Sequence, residues 1–92
     1  MEIVWSRQAR RDLREIQSYV ARDKPGAAER LATRIVTLVE ALRLQSHLGR
    51  PGLTPDTREL IVGGTPYIVV YRVRGQRITV AKVWHGAQQK NG

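Results

Sequence analysis

From Ala9 the chain repeats apolar residues at steps of four, three and four: Ala9, Leu13, Ile16 and Val20 share one face of a helix. Ser6 stands where an N-cap belongs, and Arg22-Asp23-Lys24 mark the stop ahead of Pro25. Pro25 suits the first turn of a second helix, because the N–H it lacks would find no intrahelical partner there. Ala28, Leu31, Ile35, Leu38 and Leu42 continue as a second apolar stripe. Two helices joined by so short a turn form an antiparallel hairpin. Neither can bury its stripe alone, so both are expected to pack on a sheet. A dimerising seam is the alternative, but the stripe covers barely two heptads.

The remaining apolar pattern is β-like. Residues 2–5 and 58–62 are short strands, and Tyr67 to His85 reads as two strands around a Gly75-Gln76 turn of type II′. Gly49-Arg50-Pro51-Gly52 and Pro55-Asp56 break regular structure, so residues 45–57 read as a surface loop; His47 and Arg50 read as solvated there, with contact to a ligand as the alternative. Residues 87–92 are small and polar and are expected to fray. The prediction is one α+β domain over residues 1–92. Its order is β-α-α-β-β-β, with the helical hairpin packed on a twisted antiparallel sheet.

A two-residue turn sets the register of its hairpin. Arg74 then faces Arg77, Arg72 faces Thr79, Val70 faces Ala81 and Ile68 faces Val83, with His85 further along that face. The other face collects Val73, Tyr71, Val69, Tyr67, Ile78, Val80, Lys82 and Trp84, and is assigned to the helices. Lys82 fits poorly there unless its stem reaches past a neighbour to water. On this register Arg72 and His85 lie roughly 20 Å apart, too far to act on one phosphate.

Charge alters the picture. The chain carries a net charge of +8, and residues 61–92 hold Arg72, Arg74, Arg77, Lys82 and Lys90 without a carboxylate. Such asymmetry suits an acidic partner. There is no Cys, so disulfides and thiolate metal sites are excluded. No apolar run reaches the roughly 20 residues of a membrane span, and the N-terminus does not read as a signal peptide. A cytoplasmic protein without membrane contact is the expectation.

No catalytic signature is present: no Gly-rich phosphate loop and no Ser- or Cys-centred nucleophile motif. Two histidines 38 residues apart make a weak metal site, and neither metal nor cofactor is expected. Ribonuclease chemistry needs a base, an acid and cations on the phosphate. His85, Glu59, Arg58 and Arg72 supply those types as candidates. A plain basic nucleic-acid-binding module ranks last, because the sheet shows no pattern of exposed stacking aromatics.

Several segments together resemble the ParE/RelE superfamily of toxins from type II toxin–antitoxin (plasmid stabilisation) systems. They are Ala9-x-x-Asp12-Leu13-x-x-Ile16-x-x-Tyr19, Pro25-x-Ala27-Ala28, Gly49-Arg50-Pro51-Gly52, Thr57-Arg58-Glu59-Leu60-Ile61-Val62, Pro66 through Val73, and Val83-Trp84-His85-Gly86. The resemblance implies the element order given above. It also implies a cognate antitoxin with an acidic, flexible segment, which the positive charge would attract.

Relatives of this kind divide by target: ParE-like members poison DNA gyrase, and RelE-like members cut messenger RNA on the ribosome. The nuclease branch places an arginine second in a Tyr-Arg-Leu-Val-Tyr strand, where this chain has Ile68 within Tyr67-Ile68-Val69-Val70-Tyr71. Arg72 is four residues on, about 13 Å away by strand rise. Lysines of the preceding strand are replaced by Glu59 and Ile61. His85 matches a histidine of some nuclease members but also occurs in ParE-like ones. The resemblance therefore favours a non-enzymatic gyrase inhibitor, with a ribosome-dependent endoribonuclease as the alternative. Contact with target or antitoxin, in a hetero-oligomer, is expected at Arg50, Arg58, Arg72, Arg74, Arg77 and Lys82.

Overall fold

The computed structural model describes residues 1–86, so the expectation for residues 87–92 lies outside the described residues. The elements are β1 (Glu2–Trp5), α1 (Arg7–Ala21), α2 (Pro25–Ala41), β2 (Arg50–Pro51), β3 (Thr57–Ile61), β4 (Tyr67–Arg74) and β5 (Arg77–His85). Local signals hold well. Ser6 caps α1 by accepting the Ala9 amide at 2.9 Å, and Pro25 opens α2. Gly75 takes φ 57° while Gln76 stays at negative φ, as a type II′ turn requires.

The five strands lie in the order β1-β5-β4-β3-β2 with both helices on one face. Two features depart from the expected sheet. It is mixed, because β1 runs parallel to β5 with Ile3 beside Ile78 and Trp5 beside Val80. A parallel pair needs a long connection, and the chain between β1 and β5 supplies it through the helical hairpin followed by β2, β3 and β4. Inside the expected loop, Arg50 and Pro51 form a short edge strand on Glu59 and Arg58.

The larger correction concerns the hairpin. Arg74 faces Arg77, Arg72 faces Thr79 and Tyr71 faces Val80 as the turn dictates, but Val70 pairs with Lys82 instead of Ala81. Ala81 is the extra residue of a β-bulge. One inserted residue reverses the facing of everything after it. Val83 therefore turns into the core, opposite Val69, and His85 lies opposite Tyr67 on the helix side. Lys82 and Trp84 move to the open face, with the Lys82 ammonium 3.9 Å from the Trp84 ring centroid. That removes the misfit of a lysine under the helices.

Hydrogen bonds from the N-terminal part of the chain support the bulge. The Ser6 amide donates to the Val80 carbonyl at 2.9 Å, and the Ser6 hydroxyl donates to the Ala81 carbonyl at 2.8 Å. Beyond the end of β1, the Val83 amide donates to the Asp12 carboxylate of α1 at 3.0 Å. The core between the layers is aliphatic, with Ile35, Val39 and Leu42 of α2 against Leu60, Val69, Ile78 and Val80, and with Tyr71 fully buried at one end.

Candidate functional site

The nuclease candidates are not gathered. Glu59 is buried on the open face, and its Oε1 accepts from the Arg50 Nε and Nη2 at 3.1 and 3.0 Å. Arg58 donates to the Gly49 carbonyl at 2.7 Å. Arg72 sits on the open face beside Thr79 and Thr57, whereas His85 faces α1 on the other side of the sheet. The sequence-based placement of His85 on the face of Arg72 is therefore corrected, and the Ala81 bulge is the reason.

Arg50 and Arg58 instead hold a loop. The Tyr71 hydroxyl accepts the Gly49 amide at 2.9 Å and donates to the Ser46 carbonyl at 2.9 Å, which pins residues 46–49 over the end of the core. A Cβ on Gly49 would lie 2.8 Å from the Glu59 carbonyl oxygen and 2.8 Å from the Tyr71 ring, so only glycine fits this approach. Burial raises the Tyr71 pKa above its usual value, partly offset by the Gly49 hydrogen bond and the nearby Arg58 charge.

The hairpin tip keeps its predicted charge in part. Arg77 pairs with Glu2 at 2.9 Å, and both side chains are largely exposed. Among the described residues Arg72 and Arg74 form no salt bridge. The tip is an open, weakly neutralised basic surface.

A different concavity is larger. Because β1 pairs with residues 77–80, no strand among the described residues covers the outer edge of β5 from Lys82 onward. That edge and α1 form the walls of a groove of about 1240 Å³. Ile16, Tyr67 and Val83 contribute apolar surface, with Tyr67 and His85 in an edge-to-face contact at 5.6 Å between ring centroids. Burial also raises the Tyr67 pKa. Tyr19, 67% exposed, stands on the helical wall beside Arg11, Arg14 and Arg22. Sequence reasoning missed this groove, although Gln8, Arg11, Glu15, Ser18 and Arg22, which line it, recur at helical spacing beside the apolar stripe.

Among the described residues no group of His, Cys, Asp and Glu could hold a metal ion, and no helix is long and apolar enough to cross a membrane.

A model of the family described as the ParE toxin of the type II toxin–antitoxin system parDE matches residues 3–90. The chain belongs to this toxin family. A putative toxin, Y4kP, from Sinorhizobium fredii is 41% identical over 87 residues, covering 95% of this chain and 90% of that protein. Toxin RelE2 of Caulobacter vibrioides is 32% identical over 87 residues, covering 95% and 97%. Among solved structures, the chromosomal ParDE toxin–antitoxin system from P. aeruginosa superposes with a TM-score of 0.85 at 27% identity, covering 92% of this chain and 95% of that one. The YoeB dimer from Staphylococcus aureus shares the fold, with a TM-score of 0.65 at 16% identity and coverage of 92% and 97%. The protein is thus a type II toxin of the ParE/RelE superfamily, and its relatives support a cognate antitoxin as partner.

Proposed function

We propose that this toxin acts in the cytoplasm by binding DNA gyrase and stabilising its cleaved-DNA state, without catalysis of its own, and that an antitoxin encoded beside it silences it. One observation carries the choice of target: the residues a phosphate-cutting site would use are dispersed. His85 faces the α1 groove, Arg72 faces away from it, and Arg50 and Arg58 are bound to Glu59 and the Gly49 carbonyl. Ile68, at the position where nuclease-type relatives carry arginine, is buried at 8% exposure and cannot neutralise a phosphate. The likeness to the P. aeruginosa ParDE structure supports the same reading. Purified toxin is expected to inhibit gyrase supercoiling and to leave ribosome-bound message intact. Undiminished supercoiling at saturating toxin would sink the proposal.

One observation favours a ribosome-dependent endoribonuclease as the second reading. His85 lies at an open groove against the Tyr67 ring with Arg14 and Arg22 nearby, so an acid–base pair with cations is present in type. The RelE names of the Caulobacter relatives point the same way. Cleavage of message within ribosomes by wild type, lost in His85→Ala, would establish it.

A further inference from the structure

We infer, building on the gyrase reading above, that the turn end of the sheet is a contact surface for the backbone of duplex DNA held by gyrase. Its phosphates are seated by a track of guanidinium groups, from Arg58 on β3 through Arg72 and Arg74 on β4 to Arg77 on β5.

Arg74 joins two shallow cavities into that track. One, of about 450 Å³, brings His47, Asp56, Thr57, Arg58 and Val73 beside Arg74. The other, of about 710 Å³, lies across the turn, where Arg74 meets Glu2, Gln76, Arg77 and Thr79. Neighbouring strands are about 4.8 Å apart, so the step from β3 to β5 crosses roughly 10 Å with a cation on each strand. Along β4, Arg72 and Arg74 share the open face about 6.6 Å apart. A polyanion with evenly repeated charges engages such a row at several points, whereas a single small anion engages one.

These cations are open to a partner. Among the described residues Arg58, Arg72 and Arg74 form no salt bridge. Arg77 has only the exposed Glu2 pair, which is weak enough for a phosphate to replace. Asp56 is the other carboxylate on the rim, against three guanidinium groups outside any salt bridge. Arg58 is already oriented, because its Nη1 donates to the Gly49 carbonyl at 2.7 Å. Its other N–H groups therefore meet a phosphate with little further loss of freedom.

The lining of the track selects among polyanions. Among the described residues neither cavity holds a Tyr or Trp, and His47 supplies the one ring. Single strands are held by stacking successive bases on aromatic side chains, and no such platform exists here. An acidic peptide needs a large apolar anchor, and Val73, Pro51 and Met1 do not make one. A duplex backbone asks for positive charge with hydroxyl and amide donors, which the arginines, Thr79 and Gln76 provide. Stabilising a cleaved-DNA state also requires greater affinity for that state, and contact with its DNA is a source of it.

The test titrates full-length toxin into a short fluorescent DNA duplex and follows anisotropy from about 50 to 200 mM salt, with supercoiling assays in parallel. Wild type is expected to bind with a log–log salt slope of about −2 to −4, since each phosphate contributes about −0.9. Arg74→Ala, at an exposed position, is expected to weaken binding about three- to ten-fold on any sequence and to make the slope shallower by about 1. Arg14→Ala with Arg22→Ala removes two cations from α1 and is expected to change binding less than about two-fold at 0.15 M salt, where charges more than about 8 Å away are screened. Absence of salt-dependent duplex binding by wild type, or equal losses in the α1 variant and Arg74→Ala, would overturn the surface. Tighter binding of a single strand of the same length would overturn the duplex assignment. Full gyrase inhibition by an Arg74→Ala toxin that has lost duplex affinity would overturn the contact and leave the gyrase reading intact. Duplex binding by wild type beside unaffected supercoiling would instead remove the gyrase reading and leave the DNA surface standing.

Discussion

The Asp12 carboxylate accepts the Val83 amide at 3.0 Å, so a helix side chain takes the place of a missing strand where β1 has ended. Together with the Ser6 bonds to Val80 and Ala81, it closes the exposed edge of β5 across its bulge and sets the distance between the groove walls. Unpaired strand edges invite unwanted pairing, and a charged side chain is one way to close them.

Asp12→Ala is therefore expected to cost about 1.5–3 kcal/mol, the range for a charge-assisted hydrogen bond whose buried partner is left unpaired. Asp12→Asn keeps an acceptor and should cost less. Urea unfolding of both variants checks the order, and equal stability of wild type and Asp12→Ala would refute the role.

Tyr71 gives a pH dependence with a definite sign. Its folded pKa is raised by burial above the ordinary value near 10, so its contribution to stability is full below pH about 10 and is lost as pH rises through the folded value. Tyr67 adds in the same direction. Tyr71→Phe is expected to lower stability at neutral pH by about 1–3 kcal/mol, because the Gly49 amide loses its acceptor, and to flatten the alkaline fall. Denaturant midpoints between pH 8 and pH 11.5 would show both effects.

Two glycine-to-alanine changes should have opposite signs. At Gly49 the new methyl meets the Glu59 carbonyl and the Tyr71 ring, so a loss of about 1–3 kcal/mol is expected. At Gly26, in the first turn of α2, the nearest atom is the mobile end of Arg30 at 3.2 Å. Alanine there should stabilise by about 0.5–1 kcal/mol through helix propensity and a less flexible unfolded chain. Thermal melts of the pair measure the contrast.

His85→Ala separates the two functional readings in cells. Under the gyrase reading, growth inhibition persists in a folded protein that has lost the Tyr67 ring contact, a contact worth about 0.5–1.5 kcal/mol. Under the nuclease reading, inhibition disappears from a folded protein. Induced expression with a growth readout, paired with circular dichroism, distinguishes them.

Residues near one another in sequence carried most of the fold. The apolar stripes of α1 and α2, the Ser6 cap, Pro25 at the head of α2 and Gly75 in its turn are local preferences, each decided by the geometry of a few successive residues. They were enough for two helices, a hairpin and the pairing of Arg72 with Thr79 next to the turn. The local pattern also located the basic tip and the loop that Gly49 and Arg50 enter.

What lay beyond reach of local pattern was settled by hydrogen bonds between distant parts of the chain. The Ser6 hydroxyl meets the Ala81 carbonyl 75 residues away, and no periodicity marks Ala81 as a bulge. That one residue moved His85 to the helix side, moved Lys82 to the open face over the Trp84 ring and made Arg72 and His85 occupants of opposite faces. Likewise, Arg58 and Glu59 look like catalytic types in the sequence, yet packing of the 46–49 loop gives them the Gly49 carbonyl and Arg50 as partners. A strand alternates its side chains with a period of two, so a single inserted residue reverses every assignment beyond it. Only the assembled sheet, with α1 laid beside β5, decides which side chains share a groove.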